Sequence, residues 1–91
     1  MKKISKFINT LRVKHNQKIL DKMQKTRSNL ASRRVQLNLL ISFLSEQQVD
    51  KDREYLYQKQ QELIRNQYEI SCIDIHSQYL IAVNAKLQSK I

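Results

Sequence analysis

The sequence predicts an all-α protein in which two long amphipathic helices fold back on each other as an antiparallel coiled-coil hairpin. Three observations predict it. The chain of 91 residues contains neither glycine nor proline, the residues on which tight turns and loops depend for positive φ and rigid punctuation. That composition argues against a turn-rich β fold. Apolar residues recur at steps of three and four, the helical period, with no alternation of the strand kind. Turn chemistry is confined to one short stretch near the middle.

The expected organisation is a single hairpin over residues 1–91, with helices over 3–46 and 51–90 and a turn at about 46–51. In the first helix a seam can be traced through Ile4, Ile8, Leu11, His15, Ile19, Met23, Thr26, Leu30, Arg33, Leu37, Leu40 and Leu44. Steps of three and four alternate along it except between Leu11 and Met23, where consecutive fours read as a stutter that locally unwinds a supercoil. Phe7 widens the apolar face beside Ile8. The segment from Ser45 to Asp52 supplies the turn, with Ser45 and Gln48 at capping-box spacing and Asp50 or Asp52 placed to cap the second helix. The second helix repeats every seventh residue at Val49, Leu56, Leu63, Ile70, Ser77, Asn84 and Ile91, with a companion track at Ile73, Leu80 and Leu87. A single continuous helix of about 135 Å, at ~1.5 Å per residue, is the competing architecture. The hairpin is preferred because a lone helix this polar has no partner for its seam.

Folding about a tip near residue 48 makes facing residues sum to roughly 97. Leu40 then meets Leu56 or Tyr57, Leu30 meets Gln67 or Ile70, Met23 meets Ile73, Leu11 approaches Ala85 and Ile4 lies near Ile91. Gln60, Asn66 and Gln67 are expected to face a seam that also carries Arg33 and Thr26. Polar seam residues cost stability and set register. The expected hairpin is thus well paired at its tip and termini and poorly paired between. A chain this short buries a small share of its surface, so marginal stability alone is expected, with a partner or self-association as a homo-oligomer supplying the rest.

Charge is distributed unevenly. Residues 1–44 carry eleven Lys or Arg against Asp21 alone, a net +10, whereas residues 45–91 carry six basic and seven acidic side chains, a net −1. Lys2, Lys3 and Lys6 crowd a helix start, where the macrodipole favours anions, so local helix stability does not account for them. Three explanations compete: a solvated face that keeps the coiled coil soluble, attraction to an acidic protein surface, and nucleic-acid binding by a basic helix. Against the last, Tyr55, Tyr57, Tyr68 and Tyr79 lie away from the Lys/Arg-rich half. Residues 1–20, basic and amphipathic, also suit a membrane surface.

No chemistry of a catalytic kind is expected. His15 and His76 have no neighbouring ligand set at metal spacing, Glu62 and Glu69 read as an exposed stripe, and without glycine there is no phosphate-cradling loop. The chain is read as not an enzyme, with no cofactor. The lone Cys72, among Ile70, Ile73 and Ile75, is expected as a small packed residue, against a redox or intermolecular role. No stretch approaches the roughly 18 apolar residues of a membrane span. Met1-Lys2-Lys3 is followed by too many polar residues for a secretory signal, leaving the cytoplasm as the expected location.

Leu11-Arg12-Val13-Lys14 near the basic amino terminus, and Gln36-Leu37-Asn38-Leu39-Leu40-Ile41-Ser42-Phe43 before the turn, resemble the type III secretion stalk proteins (the YscO/FliJ-like, SpaM-like family). Tyr55-Leu56-Tyr57 and the run Lys59-Gln60-Gln61-Glu62-Leu63-Ile64-Arg65-Asn66 are similar in character to the second helix of virulence-system members. The resemblance spans about residues 4–70. It implies a small basic hairpin, like the shaft of a rotary ATPase, that couples a secretion ATPase to an export gate and binds chaperones, peripheral to a membrane-embedded apparatus. It assigns the gate-facing tip to Gln36, Leu40 and Phe43, with Gln47 standing where the family has another aromatic. It turns Lys2, Lys3, Lys6, Arg12 and Lys14 toward an acidic ATPase surface or chaperones. The alternative function is that of a small basic nucleic-acid-binding or nucleoid-modulating helical protein.

Overall fold

The computed structural model of the chain describes residues 2–47 and 53–90. It contains two helices, α1 (Lys2–Gln47) and α2 (Arg53–Gln88), and no strand among the described residues. Cross-helix hydrogen bonds run antiparallel: Asn84 with Val13 and Asn16, Ser77 with Met23, Asn66 with Leu30. The pair is the expected helical hairpin, and each of these contacts falls close to the register expected from the heptads. Of the expected turn, Ser45, Glu46 and Gln47 continue α1, while the capping roles of Gln48, Asp50 and Asp52 lie outside the described residues.

The burial pattern of α2 follows the heptads read from sequence. Its inward stripe is Leu56, Lys59, Leu63, Asn66, Ile70, Ile73, Ser77, Leu80, Asn84 and Leu87, all buried or half-buried, at unbroken steps of three and four. Gln60 and Gln67, expected at the seam, are exposed, and only Asn66 of that polar trio points inward.

The seam of α1 requires a correction. The inward stripe is Asn9, Val13, Asn16, Leu20, Met23, Arg27, Leu30, Arg34, Leu37, Ile41 and Leu44, again at unbroken steps of four and three. There is no stutter. Ile4, Ile8 and Leu11 are 63%, 49% and 50% exposed, and His15 and Thr26 are exposed too. One or two residues of offset turn a helical side chain by about 100–200°, so this apolar stripe lies off the seam, with Ile8 and Leu11 at the rim of a groove between the helices. Of the apolar closure expected at the termini, the Leu11–Ala85 contact does not form, both residues being exposed, and the expected contact of Ile4 involves Ile91, which lies outside the described residues. Cys72 is also exposed, because it falls two positions past Ile70 and turns away from the partner helix.

The chain divides into two compact units, one made of residues 1–26 with 73–91 and the other of residues 27–72. In the first, Leu80 and Leu87 are buried around Asn84. The Asn84 side-chain oxygen accepts from Asn16 Nδ2 at 2.9 Å, and its nitrogen donates to the Val13 carbonyl at 3.4 Å. The Ser77 hydroxyl donates to Met23 Sδ at 3.8 Å. In the second unit Leu37, Leu44 and Ile70 form the core, Leu37 being fully enclosed. Asn66 is buried there and donates to the Leu30 carbonyl at 2.9 Å, while its Oδ1 has no partner.

Helix ends follow the macrodipole at only one of the two helices. α2 has Glu54 in its first turn and Lys86 in its last, each favourably placed. Its last turn closes without glycine: Ser89 N–H donates to the Ala85 carbonyl, Lys90 N–H to the Leu87 carbonyl, and the Ser89 hydroxyl to the Lys86 carbonyl. α1 has no acidic residue in its first turn and no basic residue in its last, so its stability comes from packing against α2.

Leu37→Ala is expected to lower unfolding stability by about 2–4 kcal/mol, whereas Leu11→Ala on the outer stripe changes it by less than about 0.5 kcal/mol; urea denaturation followed by circular dichroism measures both. Asn84→Leu removes the polar register pin, and an apolar seam position tolerates alternative pairings. That variant is expected to keep or raise the denaturation midpoint while doubling amide resonances or broadening the mass distribution in light scattering. A single clean monomer spectrum would count against the pinning role.

Candidate interaction surface

The flank of the seam in the second unit is built from residues that sit next to seam positions on the same side of both helices. On α1 these include Arg33 and Leu40, and on α2 Tyr55 and Glu62. Their register pairing is visible in the ion pair between Arg33 Nη2 and Glu62 Oε1 at 2.7 Å, doubled by a hydrogen bond from Arg33 Nε at 2.9 Å. Lys59 Nζ reaches Glu62 Oε2 at 3.1 Å and lies 5.2 Å from the Tyr55 ring centroid, at cation–π range. Arg33 Nη1 also donates to Gln36 Oε1 at 3.5 Å. One carboxylate thus collects two cations, and its ring and amide neighbours are tied in with it. The Arg33 and Lys59 hydrogen bonds, in that order, pull the Glu62 carboxyl below the ordinary glutamate range.

The structure brings the predicted tip residues onto one face. Gln36, Leu40 and Phe43 are spaced four and three apart on α1, and Gln47 continues the same spacing as its last residue. Gln36 is exposed, Leu40 is half-buried and Phe43 is 57% exposed. Leu40 is therefore shared between seam and surface, and Phe43 presents most of its ring outward. Leu39 and Tyr57, which sequence reading did not assign to the tip, are exposed in the same unit at 68% and 61%. Their signal was available: each lies off the seam of its helix, where an apolar residue has no partner within the chain.

The predicted basic set lies in the other unit. Lys3, Lys6, Arg12 and Lys14 are exposed along α1, and Lys2 is its first residue. Sorted by compact unit, the charge asymmetry persists, though it is smaller than between the two halves of the sequence. The unit of residues 1–26 and 73–91 holds ten Lys or Arg against Asp21 and Asp74, a net +8. The unit of residues 27–72 holds seven basic and six acidic side chains, a net +1. The two add to the whole-chain +9.

Apolar surface accompanies this charge. The outer stripe of α1 runs Ile4, Ile8, Leu11, His15 and then, at the same spacing, Lys18, Lys22 and Lys25, all exposed. Phe7 stands beside it at 64% exposure. A groove of about 430 Å³ opens between the helices of this unit, with an apolar wall of Ile8, Leu11, Tyr79, Leu80 and Val83 and a polar edge of Arg12, His15 and Asn16. A second depression shares His15 and is edged by Lys18, Asp21 and Lys22.

Among the described residues, no group of three or more His, Cys, Asp or Glu could hold a metal ion, and no helix is long and apolar enough to cross a membrane. What the surfaces can do chemically is bind: large apolar side chains stand outward next to fixed charge. Compared with known protein families, curated proteins and solved structures, the chain matches none.

Because the folded-state pKa of Glu62 is lowered, its pairing contributes stability above the ordinary glutamate pKa and loses it as pH falls through the folded value. The pair is partly exposed, at 42% and 38% for the two side chains, so the contribution is small, about 1 kcal/mol or less. Glu62→Gln is expected to flatten the acid limb of the stability–pH curve, with little change at neutral pH beyond that amount. Thermal melts between about pH 3 and pH 7 read this out.

Proposed function

We propose that the protein is a non-enzymatic coiled-coil adaptor that joins two protein partners, and that it serves as the stalk of a type III secretion export apparatus, coupling the secretion ATPase to the export gate. The observation that carries the adaptor reading is the unspent apolar surface. Among the described residues, five large apolar side chains are buried in the core, while fourteen remain exposed. Monomeric proteins seldom leave so much apolar surface uncovered without a partner for it. That surface occurs in both units, and the units differ in charge, one at +8 and the other near neutral. Two chemically different surfaces on one hairpin suit two different partners.

The secretion assignment rests on resemblance, in the segment Gln36 to Phe43 and in the basic start of α1. On this reading the near-neutral unit faces the gate through Gln36, Leu40, Phe43 and Gln47. Lys2, Lys3, Lys6, Arg12 and Lys14 face the acidic ATPase or export chaperones. The protein works in the cytoplasm, peripheral to the membrane-embedded machine. Capture with purified secretion ATPase and with the cytoplasmic domain of the gate tests it. Phe43→Ala is expected to weaken gate binding at least tenfold, about 1.4 kcal/mol, with unchanged helix content. Binding to neither partner would rule out the export role.

The +8 unit also suits a polyanion, which makes nucleic-acid binding the second reading. Retention on duplex DNA at about 150 mM salt, with affinity falling steeply with salt concentration, is the signature that would favour it over the adaptor.

A further inference from the structure

We infer that the groove of the basic unit is a docking site for an acidic amphipathic helix of a partner protein. The inference rests on the adaptor reading and adds to it the chemistry of one partner. Three observations converge. The groove between α1 and α2 is walled by Ile8, Leu11, Tyr79 and Val83, with Leu11 half exposed and Tyr79 65% exposed. A groove bounded by two antiparallel helices receives a third helix as a row of apolar side chains at steps of three and four.

The charged surround is predominantly basic, with Asp21 standing among the lysines. Arg12 and His15 edge the groove, and the outer stripe of α1 passes beyond His15 into Lys18, Lys22 and Lys25. The unit as a whole is +8. A docking helix therefore has apolar residues facing Ile8 and Leu11 and carboxylates facing the lysines further along. Complementary charge of this kind sets orientation and speeds encounter.

The net charge argues against a second copy meeting this one groove to groove, which would bring one +8 unit against another. Concavity argues against a bilayer as the occupant. A membrane surface would engage the outward residues Ile4, Phe7 and Leu11 and would have no use for the α2 wall of Tyr79 and Val83. The two occupants thus differ in whether Tyr79 matters.

The test uses the full chain and a synthetic helical peptide of about 18 residues, five turns, with leucines along one face and glutamates on both flanks. A matched peptide carries lysines in place of the glutamates. Fluorescence anisotropy at about 150 mM salt is expected to show saturable binding of the acidic peptide, at least tenfold tighter than the basic one. Leu11→Glu and Tyr79→Ala, both at exposed positions, are expected to weaken it at least tenfold with helix content unchanged. Phe43→Ala, in the other unit, is expected to leave it unaltered.

Equal binding of the two peptides, or binding indifferent to Leu11 and Tyr79, overturns the inference. So does tight binding to phosphatidylserine vesicles that needs Leu11 but not Tyr79, which would assign the surface to a membrane. A dimer in light scattering that Leu11→Glu converts to monomer would assign it to a second copy. Gate-domain capture that still depends on Phe43 would show that the adaptor reading stands even where the groove proposal has failed.

Discussion

Two buried asparagines hold the hairpin in register, and the placement of every surface follows from them. Asn84 bonds the Val13 carbonyl and Asn16, and Asn66 bonds the Leu30 carbonyl. Leucine or isoleucine in their place would tolerate a slide along an apolar seam. An asparagine that slides loses its acceptor and is left buried with unsatisfied polar atoms, at about 1–3 kcal/mol each. Asn66 already has one unpartnered oxygen, so its single bond to Leu30 is the larger part of its compensation. With the register set by these two contacts, Arg33 meets Glu62 and the wall of Tyr79 and Val83 comes to lie beside Ile8 and Leu11.

How much of this was legible in the sequence differs between the helices. In α2 the seam is apolar at Leu56, Leu63, Ile70, Ile73, Leu80 and Leu87, and the heptads could be read directly. In α1 the seam carries Asn9, Asn16, Arg27 and Arg34, while Ile4, Ile8 and Leu11 form an equally regular stripe facing outward. A reading that equates apolar with buried follows the wrong stripe in the first four turns and needs a stutter to rejoin the right one at Met23. Hydrophobic periodicity reports that a helix has an apolar face. It does not report whether the partner on that face belongs to the same chain. The exposure of Cys72 went unread for a related reason: its apolar neighbours in sequence point in other directions on the helix.

At the end of α1 nearest the turn, the spacing is legible and the partners are not. Gln36, Leu40 and Phe43 share a face because their spacing is helical, and the sequence shows that spacing directly. What it does not show is the network beneath, where Glu62 joins Arg33 and Lys59 and Lys59 sits by the Tyr55 ring. Those partners come from opposite helices and depend on register. The charge asymmetry is legible in the sequence as a difference between helices. Once α1 and α2 are paired, it becomes a difference between compact units, because residues 73–91 contribute only Asp74 against Lys86 and Lys90 and leave the lysines of α1 uncompensated.

Cys72 has a practical consequence. It is the only cysteine in the chain and it is exposed, on a helix whose seam residues on either side, Ile70 and Ile73, are held inward. A thiol so placed accepts a maleimide dye, a nitroxide or a photo-crosslinker without any prior substitution. The unaltered protein can therefore carry a distance probe at a defined position on α2, and its partners can be mapped from that point outward by how far the label reaches.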